Sequence, residues 1–281
     1  MSRSPPSRAW GRFDSTDTLG NVQVPRAIAN RRYRLEEELG QGQLAVVYRA
    51  VDTKLMVDRA IKILPPAFAS FKEHLDRFMR EARSMAQLHH PNIVDIHDVG
   101  VDGGWVYLIM EIMPGGTIRE WIKREGAPGR ERALGWSVQA LRGLEKAHGA
   151  GIFHRDVRPG NLFLSDTGDC KVGDFGLATA PESGNPMLTR PRSSMGMMPF
   201  SAPESMTDAR SVDGRADVHG IGVTLGALVN GVIPRDFVLK PDFFESLPDD
   251  IRPIVARATK RDRDERYDSI SAMLRDLEAV M

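Results

Sequence analysis

The sequence predicts an α+β fold in two lobes, a small β-rich one over residues 32–113 and a larger α-helical one over 114–281, preceded by a flexible basic tail over 1–31. Three observations carry this reading. Short apolar β runs dominate as far as Met113, apolar residues recur at helical spacing beyond Pro114, and 281 residues amount to about two units at roughly 150 per domain. The β runs are 33–39, 45–51, 59–64, 94–100 and 105–112. Asp102, Gly103 and Gly104 separate the last two and tolerate positive φ, which places a hairpin there. One helix interrupts the strands at 71–88, where Leu75, Phe78, Met79, Ala82, Met85 and Ala86 share a face and His89, His90 and Pro91 end it. In the second lobe, Leu134, Val138, Leu141 and Leu144 mark one face of a long helix that stops near Gly149 and Gly151. Further helices are expected at 216–230, 250–259 and 269–280, and no internal repeat points to a solenoid.

Composition excludes several classes. Hydrophobic residues at 41% and charged residues at 27% are those of a globular chain rather than a disordered one. Lys plus Arg and Asp plus Glu both number 38, so no net charge is available for a whole-protein grip on nucleic acid or anionic lipid. The balance hides an asymmetry: residues 1–34 hold seven Arg and two Asp, leaving the remainder acidic. That makes the tail a candidate for touching an acidic partner or its own domain. The uncharged run 218–234 is too short, and too interrupted by His219 and Asn230, to span a bilayer, so no membrane span is expected. Cys170 is the single cysteine and no apolar signal segment precedes the domain, which suits a reducing, cytoplasmic setting. The seven histidines and one cysteine show no zinc-ligand spacing.

Chemistry concentrates in ordered elements. Leu39, Gly40, Gln41, Gly42, Gln43, Leu44, Ala45, Val46 and Val47 form a Gly-x-Gly turn between β runs, where absent Cβ atoms let backbone N–H groups approach phosphates. Alone, it reads equally as a β-turn without a ligand. Lys62 lies in the third β run and Glu81 in the following helix, so an ion pair can aim the ammonium at phosphate oxygens. The strongest run is His154-Arg155-Asp156-Val157-Arg158-Pro159-Gly160-Asn161, followed by Asp174-Phe175-Gly176 and Ala202-Pro203-Glu204.

In this order, these elements resemble the eukaryotic-like (Hanks-type) Ser/Thr protein kinase catalytic domains of bacteria, over residue 33 to about 281. The resemblance implies a bilobal protein-kinase-like fold and transfer of the ATP γ-phosphate to a Ser or Thr hydroxyl of a protein substrate, with autophosphorylation. It implies that Asp156 accepts the hydroxyl proton, that Asn161 and Asp174 hold Mg²⁺ with Mn²⁺ as the substitute, and that Lys62, held by Glu81, contacts the phosphates. The adenine site would take Ala60, Val47 and Phe163 as apolar walls, Met110 as its depth limit, and backbone groups of Glu111 and Met113 as hydrogen-bonding partners. Glu204 is expected to pair with Arg266, and Asp217 to anchor the catalytic loop. His154 is expected to pack with Phe175, Met85 and Ile96 rather than to act as a base. Arg155 points to control by phosphate on Ser183, Thr189, Ser193 or Ser194.

The pattern is departed from in four places. Ala45 replaces the third glycine, Arg158 replaces the lysine after the catalytic aspartate, and Met197 replaces the threonine before Ala-Pro-Glu. The segment 231–248 is short for the helix that usually projects there. With Lys62, Asp156, Asn161 and Asp174 all present, slower or more selective catalysis is expected. The alternatives are a nucleotide-binding pseudokinase that serves as a scaffold and phosphotransfer to a small molecule; substrates and oligomeric state are not encoded in these motifs.

Overall fold

The computed structural model describes residues 18–19, 22–42, 45–175, 198–207, 212–234 and 239–281. The chain divides into two compact units, one reaching Gln87 and including Asp95–Ile112, the other comprising Leu88–Val94 and Met113–Met281.

The first unit contains a small hairpin, β1 (Thr18–Leu19) with β2 (Val22–Gln23), and a six-stranded antiparallel sheet. The sheet is built from β3 (Ala27–Ile28), β4 (Tyr33–Gln41), β5 (Val46–Asp52), β6 (Val57–Leu64), β7 (Ile96–Asp102) and β8 (Trp105–Met110), in the order β3-β4-β5-β6-β8-β7. Two helices, α1 (Pro66–Ala69) and α2 (Lys72–Met85), follow β6. Strict alternation along β5 sends Val46, Tyr48 and Ala50 inward, where they pack with Ile61, Ile63, Tyr107 and Ile109. The expected hairpin is present: Asp102 pairs with Trp105, and Gly103 and Gly104 take φ of 57° and 85°, the left-handed pair that a two-residue I′ loop demands.

The 1–31 tail requires correction at its end. Val24 and Ile28 are buried in this core, and β3 pairs with β4. The intervening turn holds Ala29, Asn30 and Arg31 at φ of 56°, 54° and 64°, a run costing about 1–2 kcal/mol per residue. Tertiary bonds offset that cost. The Asn30 amide donates to Asp102 Oδ2 at 2.9 Å, and Arg32 donates to Asp52 through Nη2 at 2.8 Å and Nε at 3.2 Å. The buried Asp52 also accepts from the amides of Lys54 and Leu55. Composition could not show this, because the contacts are made by a polar, proline-containing segment with only two buried apolar anchors, Val24 and Ile28.

The second unit holds β9 (Gly116–Thr117), α3 (Ile118–Glu125), α4 (Arg130–Gly149), β10 (Leu162–Leu164) and β11 (Cys170–Val172), then α5 (Glu204–Thr207), α6 (Arg215–Asn230), α7 (Pro241–Glu245), α8 (Arg252–Ala258) and α9 (Ile270–Glu278). Strands β11, β10 and β9 form a small antiparallel sheet. The glycines of α6 serve close packing. A Cβ at Gly222 would lie 2.6 Å from Ala258 Cβ, one at Gly226 2.5 Å from Phe243 Cζ, and one at Gly220 2.7 Å from the Val157 carbonyl oxygen. Among the described residues no helix is long and apolar enough to cross a membrane.

Arg32 holds the Asp52 carboxyl below the usual carboxylate range. The lowered value means that Asp52 stabilises the fold above the ordinary aspartate range and that this contribution is lost as pH falls through the lowered value. Asp52→Ala should cost about 2 kcal/mol at neutral pH and flatten the acid limb of the stability curve, read from urea titrations between neutral and acid pH.

Candidate active site

The loop between α4 and β10 is organised by one buried carboxylate. Asp217, in the first turn of α6, is fully buried. Its Oδ2 accepts from the His154 amide at 2.7 Å and is 2.8 Å from His148 Nε2, while Oδ1 accepts from the Arg155 amide at 2.6 Å. Two backbone amides, the His148 ring and the positive end of α6 satisfy a carboxyl group that would otherwise be buried without partners. The bonds fix Arg155 at φ 64°, in the left-handed region, immediately before Asp156.

His154 is buried, with Nδ1 accepting from the Asp156 amide at 3.2 Å, so Nε2 carries the proton and donates to the Gly173 carbonyl at 3.0 Å. Its ring lies 4.6 Å from that of Phe175. Both nitrogens are thus committed, consistent with a packed histidine rather than a base. Met85 and Ile96 belong to the first unit.

Asp156 is partly exposed. Oδ2 accepts from Asn161 Nδ2 at 2.9 Å and from Arg158 Nε at 3.1 Å. Oδ1 has no donor among the described residues, so one carboxylate oxygen is held and the other is available to take a proton. Asn161 Nδ2 donates also to the Asp156 carbonyl at 2.8 Å. Its two donor contacts turn the amide so that Oδ1 remains as a hard oxygen ligand. The Gly173 amide donates to the Asn161 carbonyl at 3.0 Å, tying Asn161 to the residue before Asp174, which sits at φ 59°. Asn161 and Asp174 provide two oxygen donors, and among the described residues no cluster of three metal-ligating side chains occurs. That donor set fits a cation that draws its remaining ligands from water and phosphate.

The first unit carries the other expected residues, and its register shows which share a face. Lys62 stands opposite Val47 on β5 and Leu108 on β8, and Ala60 stands opposite Met110. Directly opposed residues point the same way, so Val47, Ala60, Lys62 and Met110 lie on the face away from the Tyr48, Ile61 and Ile109 core. Leu39, Gly40 and Gln41 end β4, and the Gly42 amide donates to the Ala45 carbonyl at 2.8 Å, closing the turn; Gln43 and Leu44 lie outside the described residues. Ala45 needs no left-handed φ, so alanine is tolerated where the pattern has glycine. Lys62 and Glu81, on β6 and α2, are each engaged in a polar or electrostatic interaction. The Glu111 amide donates to the Asp95 carbonyl at 2.9 Å, so a bond from Glu111 to a purine would come from its carbonyl. The Met113 carbonyl accepts from Gly116, which leaves the Met113 amide as its contribution; Phe163 lies in β10. Met197, Ser183, Thr189, Ser193 and Ser194 lie outside the described residues.

Sequence reasoning missed His148. It sits in the last turn of α4, where a basic residue reads as a helix-dipole partner, and nothing local connects it to Asp217. The Glu204–Arg266 pair is present as expected: Nη1 and Nη2 of Arg266 donate to the two carboxylate oxygens, each at 2.8 Å, and Arg266 also donates to the carbonyls of Lys260, Arg215 and Arg261. Burial alone would raise the Glu204 carboxyl, but the Arg266 bonds override it and hold the group below its usual range. His219, beside this pair, is pushed down to about 4 by burial and then by Arg266, so it is neutral at physiological pH. Glu204→Ala strands the Arg266 guanidinium and should cost about 3 kcal/mol in urea unfolding at neutral pH. The lowered Glu204 value predicts that the difference from wild type shrinks as pH falls through the carboxylate range.

Residues 33–281 match the family model described as the protein kinase domain. Curated relatives include the serine/threonine-protein kinase PknL of Mycobacterium tuberculosis, 32% identical over 90% of this chain and 67% of its own length, and PrkC of Bacillus subtilis, 33% identical over 89% of this chain and 40% of its own. A probable serine/threonine-protein kinase of Clostridium acetobutylicum is 31% identical over 90% of this chain. The chain spans about two fifths of the length of the Clostridium and Bacillus relatives. Among solved structures, a single-substitution variant of the PknI kinase domain of M. tuberculosis superposes with a TM-score of 0.74 at 25% identity, covering 92% of this chain and 99% of that one. The ordered motifs, the loop geometry around Asp156 and these likenesses agree: the chain belongs to the protein kinase domain family, as a bacterial eukaryotic-like Ser/Thr kinase catalytic domain.

Proposed function

We propose that the chain transfers the γ-phosphate of ATP to Ser or Thr hydroxyls of protein substrates, using Mg²⁺ or, in its place, Mn²⁺. The observation that carries this reading is the Asp156 carboxylate, with Oδ2 held by Asn161 and Arg158 and Oδ1 open. Oδ1 receives the proton of the attacking hydroxyl and orients its oxygen for in-line displacement. Asn161 Oδ1 and the Asp174 carboxylate would hold the divalent cation, whose bound form neutralises charge on the phosphates. Lys62 supplies a point charge to the α and β phosphates with Glu81 as its partner, and the Gly40–Gly42 turn offers backbone donors.

Arg158 replaces a flexible point charge by a planar group whose Nε is already bonded to Asp156. Its remaining donors can meet a phosphate, which supports activity despite Met197. Arg155 is exposed and has no side-chain partner among the described residues, a fit for an acceptor phosphate on Ser183, Thr189, Ser193 or Ser194.

Incubation with radiolabelled ATP and Mg²⁺ tests this directly. Wild type should label itself within residues 176–197 and label a protein acceptor, and Asp156→Asn should lower transfer on the order of 10²- to 10⁴-fold while retaining ATP binding. Equal background transfer by both proteins, with both binding ATP, would replace catalysis by the nucleotide-binding scaffold reading.

A further inference from the structure

Beside Asp156, the second unit presents cations from two elements. The Arg119 amide donates to the Pro159 carbonyl at 2.9 Å, which fixes the first turn of α3 against the catalytic loop. Arg119 and Lys123 are four residues apart and so share one face of α3. Both are exposed, and among the described residues neither has a carboxylate partner. Arg158 completes the border from the loop itself. Between the two arginines lies Gly160: a Cβ there would sit 3.0 Å from Arg158 Nη1 and 3.8 Å from Arg119 Cδ. Gly160 does not use a left-handed φ, so its role is the close approach it allows the Arg158 guanidinium rather than a backbone conformation. The result is a basic border in which the Arg158 guanidinium lies against Gly160 with the Arg119 side chain beside it and an ammonium one helical turn further along. This border stands against an acidic body, because residues 35–281 carry 31 Lys and Arg against 36 Asp and Glu.

We infer that this border docks a carboxylate-bearing segment of the protein substrate, so that the domain selects Ser or Thr residues with Asp or Glu nearby in sequence. The inference rests on the kinase reading and names its substrate class. Guanidinium groups meet carboxylates through paired N–H donors, and Arg119 and Lys123 have no internal acid to compete, while Arg158 keeps donors beyond the Nε that bonds Asp156. An extended segment advances about 3.3 Å per residue. The Arg119 amide bonds Pro159, three residues after Asp156, so an acidic side chain that reaches Arg119 while the acceptor hydroxyl is at Asp156 lies within a few positions of the acceptor.

Binding and turnover separate this inference from the reading beneath it. Fluorescent peptides with Asp, Gln or Lys at the second and third positions on either side of the acceptor would be titrated onto the full chain, with Ala at the acceptor so that no transfer is needed. The same peptides with Ser would be assayed for kcat/KM. The Asp peptide should bind on the order of tenfold more tightly than the Lys peptide at low ionic strength, a gap that narrows as salt rises. The Arg119→Glu/Lys123→Glu variant should reverse the order while leaving turnover of the Gln peptide unchanged, and Gly160→Glu, which places a carboxylate beside Arg158 and Arg119, should also favour the Lys peptide. Circular dichroism confirms that each variant is folded. Equal affinities for the three peptides, or an acid preference that survives the double variant, would overturn the inference. So would exclusive binding of a phosphoserine version, which would assign the border to a pre-phosphorylated substrate. Acid preference in binding without any transfer keeps the docking surface and removes the kinase reading; transfer without preference does the opposite.

Discussion

A single buried carboxylate sets the terms for the catalytic loop. Asp217 is fully buried, and its two carboxyl oxygens are satisfied there by two backbone amides of the loop and the ring of His148. Anchor and loop therefore stabilise each other. The loop cannot relax away from α6 without leaving the carboxylate unpaired, and Arg155 keeps its left-handed φ because the alternative is costlier. Asp156 follows directly in the chain, so its position is inherited from that constraint and then trimmed by Asn161 and Arg158.

A second buried charge plays the same part further along. Arg266 collects one carboxylate and three carbonyls, and Glu204 is thereby joined to the segment after α8. The two hubs share α6: Asp217 lies in its first turn, and Arg266 bonds the carbonyl of Arg215 at its start. The glycines that let α6 approach α7 and α8 are needed so that this helix can sit deep enough to carry both. Their spacing resembles a membrane-helix pattern, but the close neighbours are Ala258 and Phe243 of this same chain.

Most of this was legible in the sequence wherever residues cluster locally. The hairpin at Gly103 and Gly104, the long α4 and the run from His154 to Asn161 all carry their signals within a few positions. Helix α2 ends at Met85 rather than 88, since the chain leaves the first unit at Leu88. Three kinds of feature were not legible. Strands β9, β10 and β11 have two or three residues each, too few to show a period. The order of residues 22–31 depends on Asp52 and Asp102, far away in sequence. Helix α3 was not expected, although Thr117 and Glu120 stand at capping-box spacing and both bonds of that box form. The role of Gly160 follows only from its neighbours in space, because a glycine that leaves room for side chains looks, in sequence, like any turn glycine.

Amide hydrogen exchange at His154 and Arg155 is the most direct test of the central claim that Asp217 holds the loop. In wild type both amides should be protected. In Asp217→Ala both should exchange far faster than in wild type, and in Asp217→Asn at least the amide facing the new NH2 group should, while the Gly173 and Val172 amides, bonded to Asn161 and Asn92, stay slow. Unchanged protection at His154 and Arg155 in folded variants would show that the loop holds its shape without Asp217, and would contradict the account.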